Sequence, residues 1–486
     1  MAHTIKIDPR RQIAPLSPLV FGGFAEHLGR CIYGGLYDEG SPLADAHGLR
    51  QDVMAALRRL RLPIIRYPGG NFVSGYRWMD GIGPQDERPA RAELAWGTVE
   101  SNRFGTDEYV RFCRQLGAEP YIAVNCGDGD MREARDWVEY CNGTTDTHLV
   151  RLRGRNGSPE PHRVKYWGIG NEVDGPWQMG MKTPQEYARA FTEFGKLIKW
   201  VDPSIELVAS WTSGWFDDWV ERGKLLLEQA PNLVDYMAIH WYVGNREDDY
   251  AGYMALSELF EERLTAAEGL LASMRSCRKI KRPIHVAVDE WNVWYRTGAA
   301  QRLEEVYNLE DALVVALQMN AFIRHARSVK MANLAQIVNV IAPIVTSPTG
   351  LFLQTIYHPF ELYAQQAGSI ALDAWWEGDT FQAAGHAALP LLDVSATLDP
   401  TTSRVSLFVV NRSLDAPAET IIRLQDCAAV GPGTADVVNG AGVKAVNSFD
   451  APDAVATRAA PLPAQGAELH YTFEPHSVTA LVLPIA

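Results

Sequence analysis

Short apolar runs alternate with helix-like segments from about residue 18 to residue 368. After each run, apolar residues recur every three or four positions, which is the period of a helix with one buried face. In the first such segment Val53, Leu57 and Leu60 share a face. The apolar runs, each a predicted strand, cover residues 19–24, 64–67, 120–125, 166–170, 206–210, 236–240, 285–289 and 336–341.

Eight strand–helix alternations within about 350 residues predict an α/β fold, a (β/α)8 TIM barrel. The alternative is a doubly wound open sheet, but eight units are many for it and no G-x-G-x-x-G follows the first strand. Thr183, Pro184 and Glu186 predict a capped helix start. Longer helices are predicted over 253–277 and 309–330, and a last helix over 359–366.

The pattern changes after Trp376. Residues 377–486 contain no Trp and no Met, and alternating runs such as 404–410, 420–424 and 478–483 are separated by turn residues. This pattern predicts a C-terminal antiparallel β-sandwich domain. The run at 4–7 lies too far upstream for the barrel, so we expect it to pair with the sandwich. The predicted domains are a catalytic barrel at 18–370 and a β-sandwich formed by 1–17 plus 371–486.

Charge and composition exclude several classes of protein. The 486 residues carry a net charge of −14 with no run of Lys or Arg, so we expect neither a nucleic acid nor a membrane as partner. The six Cys show no C-x-x-C and no zinc spacing, which argues against a disulfide scaffold. No apolar leader and no stretch of about 18 apolar residues is found, so we expect a cytoplasmic protein.

Carboxylates and amides follow the predicted strands, at the barrel end where such enzymes carry their active sites. A polar residue after a strand often caps the next helix. Glu172 and Glu290 do not fit that role, because their helices begin about 11 and 18 residues later. Placed after strands four and seven, the two carboxylates can face each other, as glycoside hydrolysis requires. Beside them Asn171 suits a sugar hydroxyl, and the Tyr242 hydroxyl suits the nucleophile.

Tryptophans also follow the predicted strands. Flat aromatic faces match the apolar C–H faces of sugar rings, although a single Trp more often packs in the core. Eight of the 14 Trp fall after strands, and their concentration at one rim indicates a carbohydrate ligand: Trp78, Trp96, Trp177, Trp211, Trp215, Trp241, Trp291 and Trp294.

Several segments carry a family likeness. They are FGGFAEHLGRCIYGG (21–35), RYPGGNF (66–72), LAWGTVESNRF (94–104), YWGIGNE (166–172), HWY (240–242), DEWNVWY (289–295), MANLAQIVNVIAPIVT (331–346) and QTIYHPF (354–360). GNE alone is shared by many barrel glycosidases, whereas the whole combination in this order is specific. Over almost its entire length the chain resembles the α-L-arabinofuranosidases of glycoside hydrolase family 51.

The resemblance implies a retaining enzyme in which Glu172 is the general acid/base and Glu290 the nucleophile. It also implies a hexamer built of dimers, an intracellular location, no metal and no cofactor. Residues 351–353, Leu-Phe-Leu, differ from the Trp-Arg of many relatives, at the subsite for the leaving group. The implied substrate-binding residues are Glu26, Asn71 and Asn171 on the sugar hydroxyls, Tyr242 and Arg66 beside Glu290, Trp96 at the leaving group, and Gln354 near the sugar.

The sequence thus predicts a retaining, exo-acting α-L-arabinofuranosidase. Its substrates would be arabino- and arabinoxylo-oligosaccharides, from which it releases terminal arabinofuranose by double displacement. Another retaining barrel glycosidase, a β-xylosidase or an endoglucanase, is one alternative. A non-catalytic carbohydrate-binding protein is the other, and the presence of both Glu172 and Glu290 argues against it.

Overall fold

The computed structural model describes residues 3–298, 300 and 302–486. Eight parallel strands close into a barrel, in which each strand pairs with the next and the eighth pairs with the first. The predicted TIM barrel is therefore confirmed. In chain order the strands are β1 (Gly22–Phe24), β2 (Ile64–Tyr67), β3 (Glu119–Val124), β4 (Tyr166–Ile169), β5 (Glu206–Thr212), β6 (Tyr236–Val243), β7 (His285–Val293) and β8 (Val329–Ala335).

Helices surround the barrel, and most of them bury one face against it; the helix Leu309–Arg324 is buried on all sides. The predicted cap of the helix at Pro184 is present, because Thr183 Oγ1 accepts from the Glu186 amide at 3.3 Å and Glu186 Oε2 accepts from the Thr183 amide at 2.8 Å. Within the described residues, no helix is both long enough and apolar enough to cross a membrane. They are α1 (Gln51–Arg59), α2 (Thr106–Leu116), α3 (Met131–Asn142), α4 (His148–Arg155), α5 (Pro184–Val201), α6 (Trp219–Gln229), α7 (Tyr250–Arg278), α8 (Leu309–Arg324) and α9 (Tyr357–Gln366).

The eighth strand lies earlier than predicted. It spans Val329–Ala335 rather than 336–341, and α8 accordingly ends at Arg324 rather than at residue 330. The residues of β8 are buried on both sides of the sheet, so their apolar run has no period of two and reads as the end of a helix. Residues 336–341 instead form a turn, in which Asn339 has a φ of 59°.

The first strand is shorter than predicted. A 3-10 turn at Pro18–Phe21 occupies the first half of the expected strand and leaves Gly22–Phe24 for pairing. Ser17 caps this turn by accepting a hydrogen bond from the Leu19 amide at 3.3 Å, and Pro18 at the first turn position favours it. Three further 3-10 turns follow β2, at Asn71–Gly75, Trp78–Gly81 and Gln85–Glu87.

The C-terminal part forms the predicted β-sandwich, in two mainly antiparallel sheets. One has the strand order Gln12–Pro15, Ile370–Leu372, Leu392–Asp399, Arg404–Asn411, Ser477–Pro484, Gly433–Gly440 and Val455–Leu462. The other has the order Trp375–Glu377, His3–Ile7, Ala418–Leu424 and Glu468–Phe473. The predicted run at 4–7 lies in this second sheet, where His3–Ile7 pairs in parallel with Ala418–Leu424.

Short two-stranded ribbons complete the structure. Arg91–Glu93 pairs with Thr98–Glu100, and this hairpin carries Trp96. The other ribbons are Ile344–Ser347 with Gly350–Leu353, Thr380–Phe381 with Leu389–Pro390, and Ala429–Val430 with Gln465–Gly466.

Helix α8 joins the barrel to the sandwich through buried ionic groups. Asp393, on the sandwich strand Leu392–Asp399, accepts from Asn320 and Arg324 of α8 at 2.6 and 3.0 Å. Arg412 donates to the second oxygen of Asp393 at 3.0 Å. The two units therefore share one cluster of charges in addition to apolar packing.

Candidate active site

A cavity of about 480 Å³ opens at the carboxyl ends of the barrel strands. Because every strand ends at this face, the polar residues that follow the strands converge there. Six of the nine predicted site residues line the cavity: Glu26, Asn71, Trp96, Glu172, Tyr242 and Glu290.

Glu290 is held by donors from two other strands. Arg66 of β2 donates from Nη1 to Glu290 Oε1 at 2.6 Å, and Tyr242 of β6 donates to Oε2 at 2.9 Å. Arg66 also lies 3.4 Å from Asp289 Oδ2, and its Nη2 donates to the Asn171 side chain. Each oxygen of Glu290 thus has a fixed orientation before any ligand enters. Arg66 and Asn171 support this arrangement from behind the cavity lining.

Glu172 follows β4 with a φ of 41°, in the left-handed region that residues other than Gly rarely adopt. Its Oε1 lies 2.8 Å from His240 Nδ1, and its Oε2 accepts a hydrogen bond from Trp177 Nε1. Burial raises the pKa of Glu172, but the hydrogen bonds from His240 and Trp177 and the charge of Arg66 outweigh it, so the net pKa is lowered. The unliganded site thus holds Glu172 as a carboxylate.

His240 lies at the centre of the cluster and was not among the predicted site residues. Its Nδ1 lies 3.4 Å from Glu290 Oε2, and its Nε2 lies 3.3 Å from Asp289 Oδ1. Burial disfavours the charged ring, but the surrounding carboxylates, with Glu290 first, raise the pKa of His240 well above its ordinary value. A sequence signal existed, because residues 240 and 242 of one strand point to the same face.

Glu26 is buried beside the cavity with three hydrogen-bond donors. Its Oε1 accepts from the Phe72 amide and from Trp96 Nε1, both at 3.0 Å, and its Oε2 accepts from Gln336 at 3.1 Å. Burial, with a smaller contribution from the negative charge of Glu290, raises the pKa of Glu26 to about 8. Glu26 is therefore mainly a neutral acid at pH 7.

Two glycines let the chain pass close to these carboxylates. Gly69 has a φ of 114°, and a Cβ at this position would lie 2.4 Å from Glu26 Cβ. A Cβ on Gly70 would lie 3.1 Å from Glu26 Oε2 and 3.4 Å from Glu290 Oε1. The lack of a side chain at Gly69 and Gly70 thus lets the backbone pass close to Glu26 and Glu290 at the floor of the cavity.

Gln354 is not brought to the cavity. Its side chain accepts from the Tyr307 amide at 3.0 Å and donates to the carbonyls of Glu305 and Ala342 at 2.9 and 2.8 Å. The glutamine that lines the cavity is Gln336, directly after β8. Because the sequence placed strand eight too late, Gln336 fell inside a predicted strand and was not recognised as a strand-end residue.

The tryptophan prediction is right for only part of the set. Trp96, Trp177 and Trp294 line the cavity. Of the others named from the sequence, Trp78, Trp211, Trp241 and Trp291 are buried in the core, and Trp215 packs against Trp219 and Trp241. Most strand-end tryptophans therefore serve packing, and three are exposed to the cavity.

The chain is similar in sequence to known proteins. Residues 56–257 match the α-L-arabinofuranosidase 1 domain, and residues 289–477 match the α-L-arabinofuranosidase C-terminal domain. The intracellular exo-α-(1→5)-L-arabinofuranosidase of Halalkalibacterium halodurans is 40% identical over 428 residues, 85% of each chain. The α-L-arabinofuranosidase C of Emericella nidulans is 41% identical over 432 residues, 84% of this chain and 85% of its own.

Solved structures of similar proteins superpose on nearly the whole chain. The α-L-arabinofuranosidase of Thermotoga maritima, in its arabinose complex, superposes with a TM-score of 0.92 at 38% identity, over 99% of this chain and 100% of its own. The glycoside hydrolase family 51 α-L-arabinofuranosidase of Thermotoga petrophila gives 0.93 at 38% identity, with the same coverage.

Proposed function

Because the chain belongs to the α-L-arabinofuranosidases of glycoside hydrolase family 51, we propose that it acts by a retaining, double-displacement mechanism with Glu172 as acid/base and Glu290 as nucleophile. The supporting observation is the short distance between the two carboxylates. One oxygen of each, together with a ring nitrogen of His240, lies within a set no wider than 4.8 Å. Retaining enzymes separate the two groups by about 5–5.5 Å, whereas inverting enzymes need about 6.5–9.5 Å to admit a water.

In the first step, Glu290 attacks the anomeric carbon and forms an ester with the arabinosyl group. The hydrogen bonds from Arg66 and Tyr242 orient the attacking carboxylate. The bond between the anomeric carbon and the glycosidic oxygen breaks, and the departing oxygen takes a proton from Glu172.

The proton for this step is stored on His240. The imidazolium lies 2.8 Å from Glu172 Oε1, so it can return a proton to Glu172 along an existing hydrogen bond. In the second step, Glu172 removes a proton from water, and the resulting hydroxide cleaves the ester at the anomeric carbon. Glu290 is then regenerated as a carboxylate.

The remaining cavity residues divide between the sugar and its leaving group. Glu26 and Asn71 line the inner cavity and suit the arabinofuranose hydroxyls, with Asn171 and Arg66 behind them. We assign Trp96 to the leaving-group side. A cavity of about 480 Å³ is of the size that encloses a small ligand. This supports exo-action at a chain end, on arabino- and arabinoxylo-oligosaccharides.

Three wider assignments are also proposals. A location inside the cell is supported by the intracellular relative of Halalkalibacterium halodurans. A homo-hexamer rests on the family resemblance, and sedimentation of the purified enzyme measures it directly. The division into a barrel at 18–370 and a sandwich at 1–17 plus 371–486 is tested by limited proteolysis between the two units.

The decisive experiment follows the first product of an aryl α-L-arabinofuranoside by NMR. The α-anomer appearing first supports retention, and the β-anomer would contradict it. Hydrolysis of the matching aryl β-D-xyloside should be slower, and faster xyloside turnover would favour the β-xylosidase alternative. Binding of arabinose without any turnover would favour the non-catalytic alternative.

Variants separate the two carboxylate roles. Glu290→Ala should lose several orders of magnitude in kcat on every substrate, because no covalent intermediate can form. Glu172→Ala should lose far less on leaving groups that need little protonation. Exposed Glu247→Ala is the matched control and should keep full activity. An equal loss for Glu172→Ala on good and poor leaving groups would contradict its assigned role.

A further inference from the structure

The groups that meet in the cavity also form a set of metal ligands. We propose that Glu172, His240 and Glu290 bind a divalent ion of the Zn²⁺ type, and that the bound ion inhibits the enzyme. One ligand atom from each residue lies within 4.8 Å of the other two. Zinc sites in enzymes use three such nitrogen and oxygen ligands and leave a fourth position open. Here the open position faces the cavity.

One oxygen of each glutamate faces His240, with Glu290 Oε2 also accepting from Tyr242 at 2.9 Å, while the other oxygen of each carboxylate is held in place. Glu172 Oε1 and Glu290 Oε2 both face His240 Nδ1, at 2.8 and 3.4 Å. The other oxygen of Glu172 accepts from Trp177, and the other oxygen of Glu290 accepts from Arg66 at 2.6 Å. Such outer contacts orient the ligands of established metal sites.

His240 has the outer partner that a zinc-bound histidine normally has. Its Nε2 lies 3.3 Å from Asp289 Oδ1. That oxygen is buried and has no hydrogen-bond partner of good geometry in the described part of the chain, so the ring N–H is the donor within its reach. A histidine that ligates a metal usually donates its second ring N–H to a carboxylate. Once Nδ1 gives up its proton, its lone pair points toward the two glutamates.

The charges in the cluster match a divalent ion. Glu172, Asp289 and Glu290 carry three negative charges, and Arg66 neutralises one of them. An imidazolium neutralises one more, whereas a divalent cation next to a neutral imidazole neutralises both. Binding replaces the proton on His240 Nδ1, which leaves to solvent. No bond other than N–H is broken.

The bound ion would occupy both catalytic carboxylates at the place where the anomeric carbon must lie. It should therefore compete with arabinosides and with free arabinose. The reaction itself uses no metal in our proposal. Metal binding depends only on the geometry, whereas inhibition rests on the proposed roles of Glu172 and Glu290.

The test uses the full-length chain with Cys277→Ser, which removes the exposed thiol. Co²⁺ is titrated as a probe, because four-coordinate cobalt gives intense visible bands, and Zn²⁺ binding is measured by calorimetry. We expect one ion per chain, displacement of Co²⁺ by Zn²⁺ and competitive inhibition that EDTA reverses. Mg²⁺, which needs octahedral oxygen ligands, should neither bind nor inhibit.

Variants identify the ligands. Glu172→Gln and His240→Asn should each weaken Zn²⁺ binding by about 100-fold or more, since each removes a direct ligand. Glu26→Gln, a cavity residue outside the ligand set, should bind Zn²⁺ as the parent does. Thermal unfolding checks that each variant is folded. If His240→Asn does not fold, the Zn²⁺ affinity of Glu172→Gln alone decides whether the site is correct.

Three results would overturn the site. The first is that bound Co²⁺ gives only the weak visible bands of a six-coordinate ion. The second is that Glu172→Gln binds Zn²⁺ as tightly as the parent. The third is that Zn²⁺ no longer inhibits once Cys277 is replaced by Ser. Tight binding at this site without inhibition would support the site and refute the catalytic roles, so the two proposals fail separately.

Discussion

The buried charges between barrel and sandwich lead to a quantitative prediction for Asp393→Asn. Asp393 is 2% exposed and is the counter-charge for Arg412, whose side chain is 1% exposed, and for Arg324. Glu258, the other carboxylate near Arg412, is 3.9 Å away and 41% exposed. The substitution keeps the side-chain shape and removes the charge, so it leaves a buried guanidinium without its partner.

The magnitude follows from the cost of breaking a buried ion pair on one side, about 3–5 kcal/mol. Unfolding entropy near Tm is about 2.1 cal/mol/K per residue, or about 1 kcal/mol/K for the whole chain. We therefore expect Asp393→Asn to lower Tm by about 3–5 °C in differential scanning calorimetry. Activity at 25 °C should be unchanged, since Asp393 lies outside the cavity.

Two controls make the comparison specific. Glu468→Gln breaks a pair with Arg423 in which both side chains are 49% exposed, and it should lower Tm by less than about 1 °C. Asp393→Leu combined with Arg412→Met replaces the pair by apolar groups and should recover most of the loss. A shift below 1 °C for Asp393→Asn, or no recovery in the double variant, would refute the reasoning.

Three further predictions concern the cavity loop, pH and the acid/base. Glu305→Gln loosens the loop at 295–297, whose amides it binds, so KM should rise about tenfold while kcat changes little. A parallel fall in kcat would contradict this. Glu261 and Glu268 raise the pKa of His325 to about 9 against burial. The charged His325 ring stabilises the folded state fully below pH 6.5, and this stabilisation is lost as pH rises through 9. The Tm difference between the parent and His325→Gln should therefore disappear at high pH. Trp177→Phe removes a hydrogen bond that stabilises ionised Glu172, so the pKa of Glu172 should rise. The inflection that Glu172 gives in the pH profile of kcat/KM should then move to higher pH.

The sequence predicted the barrel because seven of its eight strands are short apolar runs bounded by helical periods. It misplaced β8, whose residues are buried on both sides, and this error also hid Gln336. Gln354, assigned by resemblance, holds the segment before α8 instead. The sequence does not distinguish the amide that lines the cavity from the one that does not, because Gln336 and Gln354 both follow apolar segments in the same part of the chain.

The two catalytic candidates were predictable because no local structural role explains Glu172 or Glu290. Their surroundings were not, since hydrogen bonds between strands far apart in sequence determine them. His240 illustrates this: its role depends on Glu172, which follows β4, and on Asp289 and Glu290 in β7. The burial of Trp78, Trp211 and Trp291 likewise depends on helices that pack from outside the barrel.

The parallel pairing of His3–Ile7 with Ala418–Leu424 has a consequence for synthesis of the chain. His3–Ile7 is synthesised about 400 residues before this partner strand. At about 5–20 residues per second this delay is about 20–80 s. During that time Ile5 and Ile7, fully buried in the finished protein, have no sandwich core to enter. The barrel is therefore synthesised while His3–Ile7 still lacks this partner, and the second sheet of the sandwich can form only after both strands have been made.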